Sequence, residues 1–253
     1  MITDPLFYFC AIPAVLIFGL AKGGFGGGVS VISVPLMALA VSPVQAAAIL
    51  LPILVVMDAV AIWSFRGQFS KVNLKIIVPA AIVGVVIGAF SFRYLSEDGV
   101  RIIIGVIAVL FCFNYWFQWT SKQSSDVDVK KGSFWGVVSG FTSFGIHSGG
   151  PPISVYLLPQ NMDKVVLMGT IAIFFAVVNI VKLIPYAWLG QFDSTNLMTS
   201  LVLVPLAPIG VRLGYFLLHK VSTILVYRIC YAFLFVAGGN LLVQGLSGYY
   251  GSW

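Results

Sequence analysis

Lys22-Gly23-Gly24-Phe25-Gly26-Gly27-Gly28 interrupts the apolar run 6–41, and Ser143-Phe144-Gly145-Ile146-His147-Ser148-Gly149-Gly150-Pro151-Pro152 interrupts the run 133–160. Both runs are too long for a single crossing, which takes about 20 apolar residues. Glycine lowers helix propensity by about 1 kcal/mol and proline by about 3, so neither run is one continuous helix. The other apolar runs, near 43–65, 74–92, 100–119, 164–188, 196–217 and 222–245, fit one crossing each. The hydrophilic linker 120–132, Thr120 to Gly132, divides the chain into repeat one, 1–119, and repeat two, 133–253.

The composition agrees with a membrane setting. Of 253 residues, 60% are hydrophobic and 9% charged, against about 25% charged in soluble domains. That charge cannot cover a water-facing surface, which excludes a cytosolic enzyme, a disordered chain and a nucleic-acid binder. The excess of 14 Lys/Arg over 8 Asp/Glu fits cationic loops at an anionic membrane face. The expectation is a single membrane domain, 1–253, whose partners are the bilayer and a small anionic substrate, with homo-oligomerisation open. Met1–Phe7 lacks the Lys/Arg that opens a signal peptide, so the first apolar stretch is expected to be retained. Cys10, Cys112 and Cys230 lie in apolar stretches without metal spacing and read as buried small hydrophobes. No HExxH, GxSxG or nucleotide loop with GK[ST] occurs, so neither an enzyme nor a cofactor is expected.

The halves repeat. Gly67-Gln68-Phe69 with Asn73-Leu74 recurs 123 positions later as Gly190-Gln191-Phe192 with Asn196-Leu197. The same offset carries Gly26-Gly27 onto Gly149-Gly150, and an offset of 126 carries Pro79, Gly84 and Gly88 onto Pro205, Gly210 and Gly214. Gly84/Gly88, Gly136/Gly140 and Gly210/Gly214 have the small-xxx-small spacing of close helix packing. Trp63, Trp116, Trp119, Trp135, Trp188 and Trp253 lie near span ends and read as interfacial anchors.

Charge sets the topology. If each broken element crosses once, Arg66, Lys71, Lys75, Lys122, Lys130 and Lys131 face Arg93, Arg101, Lys164, Arg212, Lys220 and Arg228 across the membrane, with no bias. If each is a hairpin that returns to its side of entry, only Arg93 and Arg101 lie outside. The positive-inside rule selects the second arrangement. It puts both termini outside and the linker in the cytoplasm. The predicted fold is all-α and integral to the membrane: two inverted repeats, each a broken Gly-rich hairpin element plus three transmembrane helices, giving 8 to 10 helical segments.

Irregular backbone at membrane depth survives only where protein or a water-filled cavity satisfies it. Each break also starts a half-helix, near Val29 and near Pro151 or Pro152, and helix N-termini attract anions. The spacing therefore predicts a midplane anion site from Lys22, Gly26, Gly27, Gly28, Ser30, His147, Ser148, Gly149, Gly150, Pro151, Asn179 and Lys182, with Ser143 a weaker donor. Intramembrane charges face functional pathways or each other. Lys182 lies in the middle of its span, and Asp58 is one position from Ala59, its repeat mate. Asp58 and Lys182 either pair or serve substrate and proton. Lys22 serves the site or snorkels from a shallow hairpin. His147 is either a titrating group or a hydrogen-bonded turn residue. Asp58 and His147 are the candidates for a coupled proton.

Ala21-Lys22-Gly23-Gly24-Phe25-Gly26-Gly27-Gly28-Val29-Ser30-Val31-Ile32-Ser33-Val34-Pro35-Leu36-Met37 and Ser148-Gly149-Gly150-Pro151-Pro152-Ile153-Ser154-Val155-Tyr156-Leu157-Leu158, with the duplicated GQF turn, resemble the TauE/SafE family of sulfite-exporter-like permeases. The resemblance covers essentially the whole chain. It implies a secondary transporter of small sulfur-containing anions, such as sulfite or organosulfonates, in the bacterial inner membrane. An anion channel and a substrate-binding membrane subunit of a larger complex are the alternatives. The roles given to Lys22 and Lys182 come from the physics of buried charge, not from the family.

Overall fold

The computed structural model describes residues 1–25, 27–117, 126–217 and 223–251. Gly26, Trp119, Trp253, Lys122, Lys220 and linker residues 120–125 lie outside the described residues, as do the side chains of Arg93 and Cys230. The chain runs through α1 (Pro5–Leu20), a π turn (Ala21–Phe25), α2 (Gly27–Ser30), α3 (Ser33–Met37), α4 (Pro43–Ser64), α5 (Lys71–Arg93) and α6 (Glu97–Phe117). It continues through α7 (Val129–Ile146), α8 (Gly150–Leu157), α9 (Lys164–Trp188), α10 (Ser194–Leu203), α11 (Leu206–Leu217) and α12 (Thr223–Gly251). Among the described residues six helices are long and apolar enough to span a bilayer, seven if α10 and α11, bent by 42°, count as one. The described chain is all-helical, and α7 begins inside the stretch read as linker.

The acidic residues are placed where helices begin. Asp4, Asp128, Asp163 and Asp193 are N-caps, and Glu97 and Asp98 lie in the first turn of α6, where carboxylates meet free N–H groups and the positive end of the helix dipole. The amides of Lys131 and Lys130 hold the exposed Asp128 carboxyl below its ordinary range. With Asp126 in the loop, seven of the eight acids lie outside the membrane core. Asp58, 2% exposed within α4, is the exception.

Each Gly-rich break reverses the chain. After the π turn, in which Gly24 leaves the helical region, Ser33 Oγ donates to Ala14 O at 2.9 Å, so α3 lies back along α1. In the second break His147 adopts the left-handed conformation (φ 54°) and caps α7. Ser139 Oγ then donates to Gly149 O at 2.7 Å, and Thr142 Oγ1 to Ser148 O at 3.1 Å. Both hairpins return to their end of entry. Ile2 N–H donates to Thr199 Oγ1 (3.0 Å) and Gln45 Nε2 to Asn196 Oδ1 (3.0 Å) at one end. Asn73 Nδ2 donates to Gln160 Oε1 (2.8 Å) and Ser70 N–H to Thr170 Oγ1 (2.9 Å) at the other. Arg66, Lys71, Lys75, Lys130, Lys131 and Lys164 gather at this second end. Ile2 and Gly248, which lies against Asp98, mark the first.

The packing partners exchange when the halves are exchanged. α1 packs on α11 as α7 packs on α5, while α4 pairs with α9 and α6 with α12. Gly84 sits against Val137 and Phe141 where Gly210 sits against Leu16 and Gly19, and Gly88 meets Phe144 where Gly214 meets Leu20 and Gly23. These glycines let the backbones approach, as their spacing predicts. α4 and α9 run antiparallel: Phe65 lies by Gly169, and Asp58 by Asn179. α6 and α12 do the same, with Asp98 by Gly248 and Ala108 by Gly238. The turns repeat too, since Gly67 (φ 80°) and Gly190 (φ 67°) both occupy the left-handed region. One mate differs. The expected single span 196–217 is broken between Leu203 and Leu206, whereas α5 continues through Pro79. Leu74 and Pro79 are five apart and their mates Leu197 and Pro205 are eight apart. Three extra residues turn the helix by about 300°, and the chain restores its packing register by bending at Pro205.

Candidate functional site

The two breaks meet mid-bundle, where α2 packs on α8 and α4 crosses α9. The antiparallel pairing brings Asp58 level with Asn179 and leaves Lys182, one turn along α9, level with the end of α7. Lys22, on the π turn, forms an ion pair with Asp58. Asn179 Nδ2 donates to the other carboxylate oxygen, Oδ2, at 2.6 Å. Lys182 Nζ donates to Ser143 O (3.0 Å), Ser143 Oγ (3.1 Å) and His147 Nδ1 (2.6 Å). The far ring nitrogen, His147 Nε2, donates to Ala47 O at 2.9 Å. This is the pattern of a neutral imidazole with its proton on Nε2. Lys182 is 0% exposed and His147 2%.

These contacts show which of the groups named from the sequence meet. Asp58 pairs with Lys22, not with Lys182, because Lys182 is one turn beyond Asp58's level and faces the second break. Lys22 does not snorkel; its ammonium is held inside the bundle. His147 is a hydrogen-bonded turn residue and also a wall of the site. Asn179 lies on the same face as Lys182, as their spacing predicts.

A pocket of about 350 Å³, its open mouth included, lies beside these groups, and Lys182 stands behind its Ser143 and His147 wall. Lys22, Ser30, Ser143, His147 and Asn179 form its polar wall, and Phe18, Phe175, Leu54 and Ile171 its apolar wall. The Phe18 and Phe175 rings lie 5.7 and 5.5 Å from Lys22 Nζ, within cation–π range. A second cavity of about 700 Å³, likewise with its mouth, is lined by Val44, Ala47, Phe92, Phe144, Tyr186 and Gln191. It lies toward the end that carries Ile2. The His147–Ala47 hydrogen bond stands between the two cavities.

The half-helix starts offer less than the sequence suggests. α8 begins at Gly150 and α2 at Gly27, each slightly ahead of the expected Pro151/Pro152 and Val29. Pro151 and Pro152 carry no N–H, and Ile153 N–H bonds Gly149 O at 3.3 Å. The amides available at this end are therefore those of Gly149 and Gly150. Gly27 and Gly28 lie in the single turn of α2 beside α8. Ser148 is fully buried with its Oγ unpartnered among the described residues. The charge at the site thus comes from side chains more than from helix ends.

Sequence reasoning undervalued Ser143 and missed Phe18, Phe175, the Ala47 carbonyl and Tyr186. Tyr186 OH donates to Phe144 O at 2.7 Å, and its ring lies nearly parallel to that of His147 (6.2 Å, 23°). Its signal was present: Tyr186 follows Lys182 by one turn on the face that Asn179 precedes. The Ala47 carbonyl leaves no trace in sequence. Trp63, Trp116 and Trp188 are exposed near helix ends, as anchors require. Among the described residues no group of His, Cys, Asp and Glu could hold a metal ion.

A family model described as "Sulfite exporter TauE/SafE" matches residues 11–241. The chain is similar to the "Probable sulfite/organosulfonate exporter TauE" of Cupriavidus necator, with 23% identity over 235 residues and 89% of each chain covered. No solved structure matches.

Proposed function

The chain belongs to the sulfite exporter TauE/SafE family, and from that premise we propose that it is a secondary transporter that exports small sulfur-containing anions such as sulfite or organosulfonates. One observation carries the reading. The buried cluster holds two lysines, Lys22 and Lys182, against a single carboxylate, Asp58, and its histidine is hydrogen-bonded as the neutral ring. With both lysines protonated, one positive charge in the middle of the spans is uncompensated. Buried charge is tolerated where it is paired or serves a pathway, and a monoanion in the adjoining cavity supplies the pair. Ser143, Asn179 and Ser30 are the further polar groups lining that cavity.

The same reading assigns alternating access to two inverted repeats, 1–119 and 133–253, on either side of the cytoplasmic linker. The exchange of packing partners and the antiparallel α4–α9 and α6–α12 pairs support it. The Lys/Arg-rich end faces the cytoplasm by the positive-inside rule, so both termini face outward from a bacterial inner membrane. An anion leaving a negative interior gains about 2.3 kcal/mol per charge per 100 mV, which drives export without another coupled ion.

The test is flux in proteoliposomes containing the purified full chain, loaded with sulfite, sulfate, methanesulfonate or acetate. Saturable, potential-dependent sulfite or sulfonate efflux with trans-stimulation is expected. Channel-like conductance, or no flux of any of these anions, overturns the reading.

A further inference from the structure

Among the described residues, Lys182 is held by neutral acceptors, and all three belong to the second break: Ser143 O, Ser143 Oγ and His147 Nδ1. His147, in turn, is the residue between the two cavities. Its side chain lines the first, and Nε2 holds the carbonyl of Ala47, which lines the second. Its left-handed backbone is uncommon for a residue other than glycine and is tied at both ring nitrogens. Tyr186, one turn beyond Lys182 on α9, fastens the same wall through Phe144 O.

We propose that Lys182 is the switch that turns occupancy of the anion site into opening of the second cavity: the bound anion draws the Lys182 ammonium away from His147, and His147 then releases Ala47. This deepens the transport reading and rests on it. The physical reason is competition. An anionic oxygen adds a Coulomb attraction to the ammonium that a neutral carbonyl, hydroxyl or imidazole lacks, so a sulfonate or sulfite oxygen displaces Ser143 and His147 from Nζ. His147 then loses one of its two ties. The break around 147–149 sits between two helices and outside both, where a few residues can absorb a change of backbone angle. The opening joins the two cavities toward the end that carries Ile2. An empty site keeps the wall closed, so the carrier does not leak. Lys22 cannot do the same, because Asp58 already holds it.

The experiment reads the wall directly. Ala47→Cys, at a position 1% exposed, is introduced in the full chain with Cys10, Cys112 and Cys230 replaced by alanine. Labelling by a membrane-impermeant methanethiosulfonate is followed in proteoliposomes with and without methanesulfonate, and sulfite and methanesulfonate flux is measured in the same vesicles. Methanesulfonate is expected to accelerate labelling by about tenfold or more, the scale of one charged hydrogen bond. Lys182→Met, which removes the tie to His147 Nδ1, labels at the fast rate whatever the anion. His147→Asn keeps a residue that tolerates the left-handed turn but is too short for both ties, and it labels fast without anion. Tyr186→Phe, which removes one hydroxyl, is the milder second variant and shifts the same rate in the same direction. Flux with labelling blind to methanesulfonate overturns the switch alone. So does His147→Asn labelling that is as slow as the parent's without anion. A chain that moves none of the anions overturns the transport reading and the switch with it.

Discussion

The two Gly-rich breaks perform the same structural task with opposite electrostatics. Each reverses the chain mid-bundle and presents a lysine to the centre: Lys22 on the first break itself, Lys182 on the helix that faces the second. Lys22 meets the one acid in the interior, and Asn179 takes the remaining carboxylate oxygen. Lys182 meets a carbonyl, a hydroxyl and a neutral imidazole. The two breaks share a scaffold, but the countercharge stands on one side only. The neutralised lysine holds the first break to α4. The uncompensated one is free to answer to a substrate.

The largest expected effect breaks this comparison at Lys182. Lys182→Met removes the excess charge and is expected to abolish anion flux, while thermal unfolding in detergent stays unchanged or shifts upward, because replacing a buried charge by an apolar group of similar volume is often neutral or stabilising. Retained flux would mean that Lys22 alone carries the anion. The reverse outcome is expected on the other side. Asp58→Asn leaves Lys22 buried without its countercharge, which costs about 3–5 kcal/mol and lowers the apparent Tm. The double variant Lys22→Met/Asp58→Asn recovers most of that loss and retains measurable flux. A double variant as unstable as Asp58→Asn would show that the pair is not the source of the cost.

The recurring markers were legible because they are chemical and local. Gly67 and Gly190 are fixed by a backbone angle, Gly84 and Gly210 by a close approach, and the two breaks by clusters of glycine and proline. The hairpin return was expected from the distribution of Lys and Arg, and hydrogen bonds at both ends of the bundle mark where each break leads the chain. The site was legible in its members but not in its pairing. Asp58 and Lys182 stand near mated positions, yet mated positions on antiparallel helices meet only near the symmetry axis. Reaching Lys22 required knowing how deep the π turn sits. The Ala47 carbonyl and the bend at Pro205 depend on tertiary register, which no single residue encodes.

Smaller effects sharpen the symmetry itself. At Gly84 a methyl group would overlap Val137 O, and at Gly210 it would approach Gly19 Cα at 3.0 Å. Alanine at either position is expected to cost about 1–3 kcal/mol by overpacking, read as a matched fall in Tm; a large loss at one and none at its mate would break the equivalence of α5 and α11. The finest test lies in the turns. Gly67 and Gly190 have φ of 80° and 67° and nothing within 4 Å of an added Cβ, so Gly67→Ala and Gly190→Ala meet no steric clash. Only the left-handed backbone penalty remains, about 1–2 kcal/mol, and it acts at opposite ends of the bundle. Equal small falls in Tm with unchanged sulfite flux are expected from both. A loss of flux from one turn alone would show that its end of the bundle moves during transport and that the other does not.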